Sequence, residues 1–314
     1  MLRFKEFIAE NTEAHEAHSN TALGDAFETA TVLHIHHNTG AKHNKSPEYQ
    51  RTIAQVQKKH DSAMAQLSPA KASKALEGGR QAGAAYITSL EHNHGKKADD
   101  IHEVHHTSLG IDSHIGKKVD RASNPHDLIV KGKGGFIHGS SLKLTKGTAS
   151  NNSAKAFDEK AGLKTDIAGV WAKGKKKAGL EGKKAKEIKE IKKNPEIVKA
   201  NRETQQHAAQ HHAEAFNSAD HDTKIKHLRY LLKGHPDHPM DYTVAGKKAS
   251  STPIEHVPQI KALNHAKSIH ATIANNRVNF HDEHGNHIAY VEHRPTHGSF
   301  ISIQANAKFG NMKK

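Results

Sequence analysis

In the stretch NPHDLIVKGKGGFIHGSSLKLTK, residues 124 to 146, the residues that could do chemistry are Asp127, Ser141 and Lys143. Two apolar runs, Leu128 to Lys131 and Phe136 to Thr145, flank the turn Gly132-Lys133-Gly134-Gly135, a pattern that predicts a β-hairpin. Residues two apart in a strand share a face, so Ser141 and Lys143 point together while Leu142 and Leu144 point into a core. Asp127 opens the neighbouring strand, which brings a carboxylate and an ammonium within reach across the hairpin. Such a pair is either ordinary polarity, an aspartate at a turn beside a solvent-facing Ser-x-Lys, or a metal-and-lysine centre.

The 30 histidines raise a second chemistry. They cluster at His34-His36-His37, His105-His106, His207-His211-His212 and from His281 through His284 and His287 to His293 and His297. On a helix His207 and His211, four apart, could chelate Zn²⁺ or Ni²⁺, although no third ligand at a zinc spacing follows and no H-E-x-x-H occurs. With histidine so frequent, the bland reading is chance pairing and charge that rises on acidification. His284-Gly285-Asn286-His287 invites comparison with HNH nucleases, whose paired-histidine pattern is otherwise absent.

The elements that must position these groups can be read from periodicity. Residues 20 to 37, with Asn20 or Thr21 as N-cap and Leu23, Phe27 and Ala30 on one stripe, predict a helix that carries Glu28 at the stripe's edge. Ser46-Pro47 and Ser68-Pro69 each open a helix, and together these form a helical hairpin over about 46 to 92. Gly78, Gly79 and Gly83 either weaken its second arm or let another element approach closely. Ile101 to Ser108 is a strand, and DSHIGKKVDRAS predicts a helix bridging it to the hairpin. Residues 173 to 238 form a basic helical segment whose start is lysine-dense. Arg277 to His281, His287 to Glu292 and Phe300 to Lys308 are strands expected to complete the core, and no fixed-period repeat is present.

Composition bounds the function classes. The net charge is +14 with histidines neutral, from 47 Lys and Arg against 33 Asp and Glu, which suits a polyanion such as nucleic acid, with plain solubility as the alternative. Lys131, Lys133, Lys146, Lys175, Lys176 and Lys177 are the candidate phosphate contacts. An apolar content of 34% predicts a modest core. With no cysteine, disulfides and thiolate zinc sites are excluded. No run is long enough to cross a bilayer and the first residues lack a secretory signal's apolar centre, so no membrane partner is expected.

The hairpin resembles the PD-(D/E)xK nuclease superfamily. Pro125-His126-Asp127 stands in place of its Pro-Asp with one residue inserted, Ser141-Leu142-Lys143 in place of Asp/Glu-x-Lys, and Glu28 matches its helix glutamate. The resemblance covers roughly residues 20 to 40, 100 to 165 and 275 to 310. It implies an α+β fold, a restriction-endonuclease-like mixed β-sheet core flanked by helices and carrying helical insertions, with the nuclease core over 11–172 and the strands of 239–314 closing it. It further implies metal-dependent DNA endonuclease activity. Asp127, Glu28 and the Leu142 carbonyl would hold Mg²⁺, or Mn²⁺, and Lys143 would orient water or neutralise the phosphorane. Ser141 would at most bond a metal water. The departure from the family pattern is that Ser141 replaces the second carboxylate; Glu28 is the candidate for the missing acid, with Glu103, Asp158 or Glu159 as weaker substitutes, and with none of them one carboxylate would hold Mg²⁺ poorly and leave the site inactive.

MLRFKEFIAEN resembles the capsid-targeting peptide of internal head proteins of large tailed phages, cut after Leu/Ile-x-Glu; here Ile8-Ala9-Glu10 would leave Asn11 as the new N-terminus. A packed N-terminal helix is the alternative. The peptide implies residence in the virion interior and then the host cytoplasm. DNA is the expected partner, with the prohead scaffold or protease and a second copy in a homodimer as further ones. A non-enzymatic basic head protein that binds DNA or a host factor is the competing function.

Overall fold

The computed structural model describes residues 21–109, 126–144, 148–153, 162–191, 193–233, 239–246, 248–295 and 303–310. The N-terminal peptide with Glu10 and Asn11, the expected bridging helix after residue 110, Lys146, Asp158 and Glu159 lie outside them. The fold is α+β, and the chain divides into two compact units.

The first unit holds residues 1–119, 126–146 and 236–254. It begins with helix α1, residues 21–38, which buries Ala22, Ala26, Phe27, Ala30 and Ile35. The expected hairpin follows as α2 (Pro47–Met64) and α3 (Pro69–His94). Pro47 and Pro69 occupy the first turns, but neither Ser46 nor Ser68 makes the side-chain capping bond expected of it. The α3 glycines admit α1: a Cβ on Gly79 would lie 2.5 Å from that of Ala30, and one on Gly83 would lie 2.7 Å from the His34 ring. The sheet runs β1-β2-β3-β5-β6, with β1 (Ile101–His106), β2 (Leu128–Gly132), β3 (Phe136–Lys143), β5 (Met240–Val244) and β6 (Ser250–Pro253). Its pairs are antiparallel except β3 with β5, so the sheet is mixed. The β2–β3 turn uses Gly134 and Gly135 at φ 71° and 73°, which only glycine adopts cheaply. Phe27, Ile35, Tyr86, Leu90, Val104, Leu128, Val130 and Leu142 share one core.

The second unit holds residues 120–125, 147–235 and 255–314. Its antiparallel sheet has the order β4-β10-β9-β8-β7: β4 (Thr148–Ser153), β7 (Ile269–Ala274), β8 (Arg277–Asp282), β9 (His287–Pro295) and β10 (Ile303–Phe309). Helices α4 (Ile167–Lys177), α5 (Ala185–Ile191), α6 (Pro195–Ser218), α7 (His221–Lys233) and α8 (Pro258–His265) accompany it. One expectation is corrected: the strands after residue 269 do not complete the first sheet but build this one. The lysine-dense segment leads into α6, which packs on β7, β8 and β9. Alternation marks one buried face per strand; it does not say which sheet buries it. Among the described residues no helix is long and apolar enough to cross a membrane.

Candidate functional site

The first unit brings together the groups anticipated on the hairpin. β2 opens where the Asp127 N–H donates to the Ser140 carbonyl at 2.8 Å, and Leu128 pairs with Ser140. The extra residue of Pro125-His126-Asp127 is absorbed by packing, because His126 is buried with its ring on Gly139, where a Cβ would collide with it. One strand along, β3 runs past the start of β2. The Leu142 N–H therefore lacks a ladder partner there and donates instead to Asp127 Oδ2 at 2.6 Å. In an extended strand a residue's N–H and C=O leave on the same edge, so the Leu142 carbonyl faces the edge that Asp127 occupies.

Ser141 and Lys143 share a face as their spacing required. Lys143 Nζ donates to Ser141 Oγ at 2.9 Å and lies 3.6 Å from Asp127 Oδ2, and Ser141 Oγ donates weakly to the same oxygen at 3.4 Å. Each of the contacts to Asp127 falls on Oδ2; Oδ1 has no hydrogen-bond partner among the described residues. Leu142 is buried in the core on the opposite face.

Glu28 joins the group from α1. Its Oε2 lies 3.2 Å from the buried His106 Nε2, a contact too bent for a full hydrogen bond. The Ser108 N–H donates to His106 Nδ1 at 3.2 Å, which makes Nδ1 an acceptor and puts the proton of a neutral ring on Nε2, toward Glu28. Asp127 senses this arrangement. Burial raises its pKa first, although a quarter of the side chain is open, and the Glu28 charge raises it further. Lys143, the Leu142 N–H and His106 pull the other way without prevailing. A carboxylate whose ionisation the Glu28 charge opposes, with an oxygen unbonded among the described residues and a backbone carbonyl beside it, suits a hard divalent cation. His106 was missed as a member of this group, because nothing in the spacing of His105-His106 connects it to a helix more than sixty residues upstream.

The substitute acid Glu103 is committed elsewhere: it bonds His105 Nε2 at 2.7 Å and pairs with Lys131 at 3.3 Å, and these contacts hold its pKa at about 2. Of the candidate phosphate contacts in this unit, Lys133 pairs with Asp100 at 2.9 Å and keeps most of its surface open. In the second unit Lys175, Lys176 and Lys177 end α4; Lys176 and Lys177 lie 3.7 Å from Glu181 and Glu203 respectively, all four strongly exposed. His207 and His211 sit exposed on α6 and line a groove of about 160 Å³ with Lys173 and Lys177.

A separate cluster in the first unit could hold a metal ion. Ligand atoms of His94, His138 and Asp241 lie within 4.8 Å of one another. No residue of this trio was singled out from the sequence, since its members come from α3, β3 and β5 and the outer two are 147 positions apart. Compared with known proteins, the chain matches no family model, no curated protein and no solved structure.

Proposed function

We propose that the chain is a metal-dependent DNA endonuclease of the PD-(D/E)xK type in which Glu28, on a helix, replaces the carboxylate that Ser141 lacks. The observation that carries this reading is the Asp127–Lys143 pair on the hairpin, with Glu28 near enough for its charge to raise the Asp127 pKa. A mixed sheet with a helix before it is also what the resemblance implies. Asp127 Oδ1, Glu28 and the Leu142 carbonyl would hold Mg²⁺ or Mn²⁺. Bound there, the ion supplies a water of lowered pKa and polarises the scissile phosphate. Lys143, steered by Ser141, stands where it can neutralise charge on the phosphorane. His106 is a positioning residue that aims Glu28.

The test is conversion of supercoiled plasmid to nicked or linear DNA. The reading expects cutting in Mg²⁺, none in EDTA, and losses of about 10²- to 10³-fold in Lys143→Ala and Asp127→Ala. Undiminished cutting by either variant would overturn it. A second reading, a non-enzymatic DNA-binding head protein, is favoured by the +14 charge; it expects salt-sensitive binding and no cutting under any metal. Delivery from a phage head rests on Ile8-Ala9-Glu10, and the expected check is that the virion-borne chain begins at Asn11.

A further inference from the structure

We infer that His94, His138 and Asp241 form a second metal site, one that takes a divalent first-row transition ion of the Zn²⁺ class and is independent of the nuclease reading. His94 is the last residue of α3, His138 lies mid-strand in β3, and Asp241 lies beside it on the parallel strand β5, where it pairs with Ser140. Asp241 Oδ1 is 3.0 Å from His94 Nε2 and 3.5 Å from His138 Nε2. Donors bonded to one ion at about 2.0 to 2.2 Å sit roughly 2.9 to 3.6 Å apart, a range that holds both spacings, the shorter of which is also a His94–Asp241 hydrogen bond.

The second observation is His138 Nε2 itself. His138 is 1% exposed, and this nitrogen is buried without a hydrogen-bond partner although a carboxylate oxygen lies 3.5 Å away. Tyr86 Oη lies 2.8 Å from the other ring nitrogen and also donates to the His138 carbonyl at 3.3 Å. A hydroxyl has one proton: given to Nδ1, it leaves an Nε2 proton with no acceptor in line; given to the carbonyl, Nδ1–H donates to Oη and Nε2 presents a bare lone pair beside Asp241. In either tautomer this buried nitrogen is left without a hydrogen bond, and a cation between it and Oδ1 would satisfy it.

The outer contacts fit as well. Asp241 is fully buried, and its Oδ2 accepts from Ser251 Oγ at 2.8 Å and, at short range, from Ser89 Oγ. Oδ1 is thereby turned to the imidazoles, and the non-ligating atoms of Asp241 and His138 are held by neighbours, as outer partners hold metal ligands. Two imidazoles and one carboxylate select zinc, iron, cobalt or nickel rather than Mg²⁺, which distinguishes this site from the oxygen-lined one at Asp127. Three protein ligands leave a coordination position open, and the His94 side chain, 18% exposed, marks the way to solvent.

The experiment titrates chelator-stripped full-length protein with Co²⁺ and with Zn²⁺, read by calorimetry, by the visible absorption of Co²⁺ and by the melting temperature. The background is His207→Ala/His211→Ala, which removes the exposed α6 pair. One tight equivalent is expected, with a rise in melting temperature, and affinity should fall about tenfold or more in His94→Gln and Asp241→Asn. Asp127→Asn should bind as the parent does. His94→Gln, at a part-exposed helix end, carries the test if Asp241→Asn does not fold. Absence of a tight equivalent, or binding that His94→Gln leaves unchanged, would overturn the site; the second result means surface histidines alone took the ion. Loss of binding in Asp127→Asn would assign the ion to the other centre instead.

Discussion

Asp127 holds a charge that the folded protein disfavours. Its pKa is raised by burial and then by Glu28, so ionised Asp127 weakens the fold at neutral pH, whereas a salt-bridged aspartate would strengthen it. Asp127→Asn is therefore expected to raise the melting temperature of metal-free protein while abolishing cleavage, measured by calorimetry and plasmid nicking on the same preparation; a fall in both would mean Asp127 serves the fold. The same shift sets a pH dependence. Protons and the divalent ion compete for Asp127, so Mn²⁺ affinity, followed by titration, should weaken as pH falls toward the raised pKa. An affinity that stays unchanged down to the pH at which Asp127 is seen to protonate would contradict ligation by this carboxylate.

At the scale of elements, the approach of α1 to α3 decides where Glu28 stands. A Cβ on Gly79 would lie 2.5 Å from the Ala30 Cβ and 2.9 Å from the Thr31 backbone nitrogen, neither of which can swing aside. Gly79→Ala should cost roughly 1 to 3 kcal/mol in urea denaturation and, by moving α1, should lower cleavage more than it lowers plain DNA binding. The hairpin was legible in the sequence because period-two alternation and a glycine turn are local signals, and the pairing of Ser141 with Lys143 followed from them. Glu28 was legible as a helix residue, but its place beside His106 depends on three α3 glycines that only tertiary packing explains. The His94, His138 and Asp241 cluster was not legible at all, because its ligands share no element and no spacing. The closing strands were found with nearly their true bounds yet assigned to the wrong sheet, since alternation does not specify a strand's neighbours.

At the scale of the whole molecule, the histidines divide between surface charge and buried neutral groups. In the second unit His212 Nδ1 lies 3.0 Å from His293 Nε2, and His212 Nε2 lies 2.9 Å from His227 Nε2. Burial drives His212 well below its usual pKa and His293 to about 3, helped in both by His227. The folded chain refuses these protons while the unfolded chain accepts them below 6.5, so stability is full above that pH and declines as pH falls toward 3. At pH 5 His293 costs roughly 2 kcal/mol and His212 adds in the same direction; His212→Leu should flatten the dependence of the urea midpoint on pH, and an unchanged slope would refute the assignment. The +14 charge predicts duplex binding in EDTA that weakens at least about tenfold between 50 and 200 mM salt. The central claim is that a helix supplies the acid the hairpin lacks, and it is tested most directly by single-turnover cleavage in Mg²⁺ with Glu28→Gln and with Glu28→Gln/Ser141→Asp. The account predicts that the first variant loses activity and that the second recovers much of it, because a carboxylate at Ser141 restores the second ligand; wild-type rates in Glu28→Gln would contradict it.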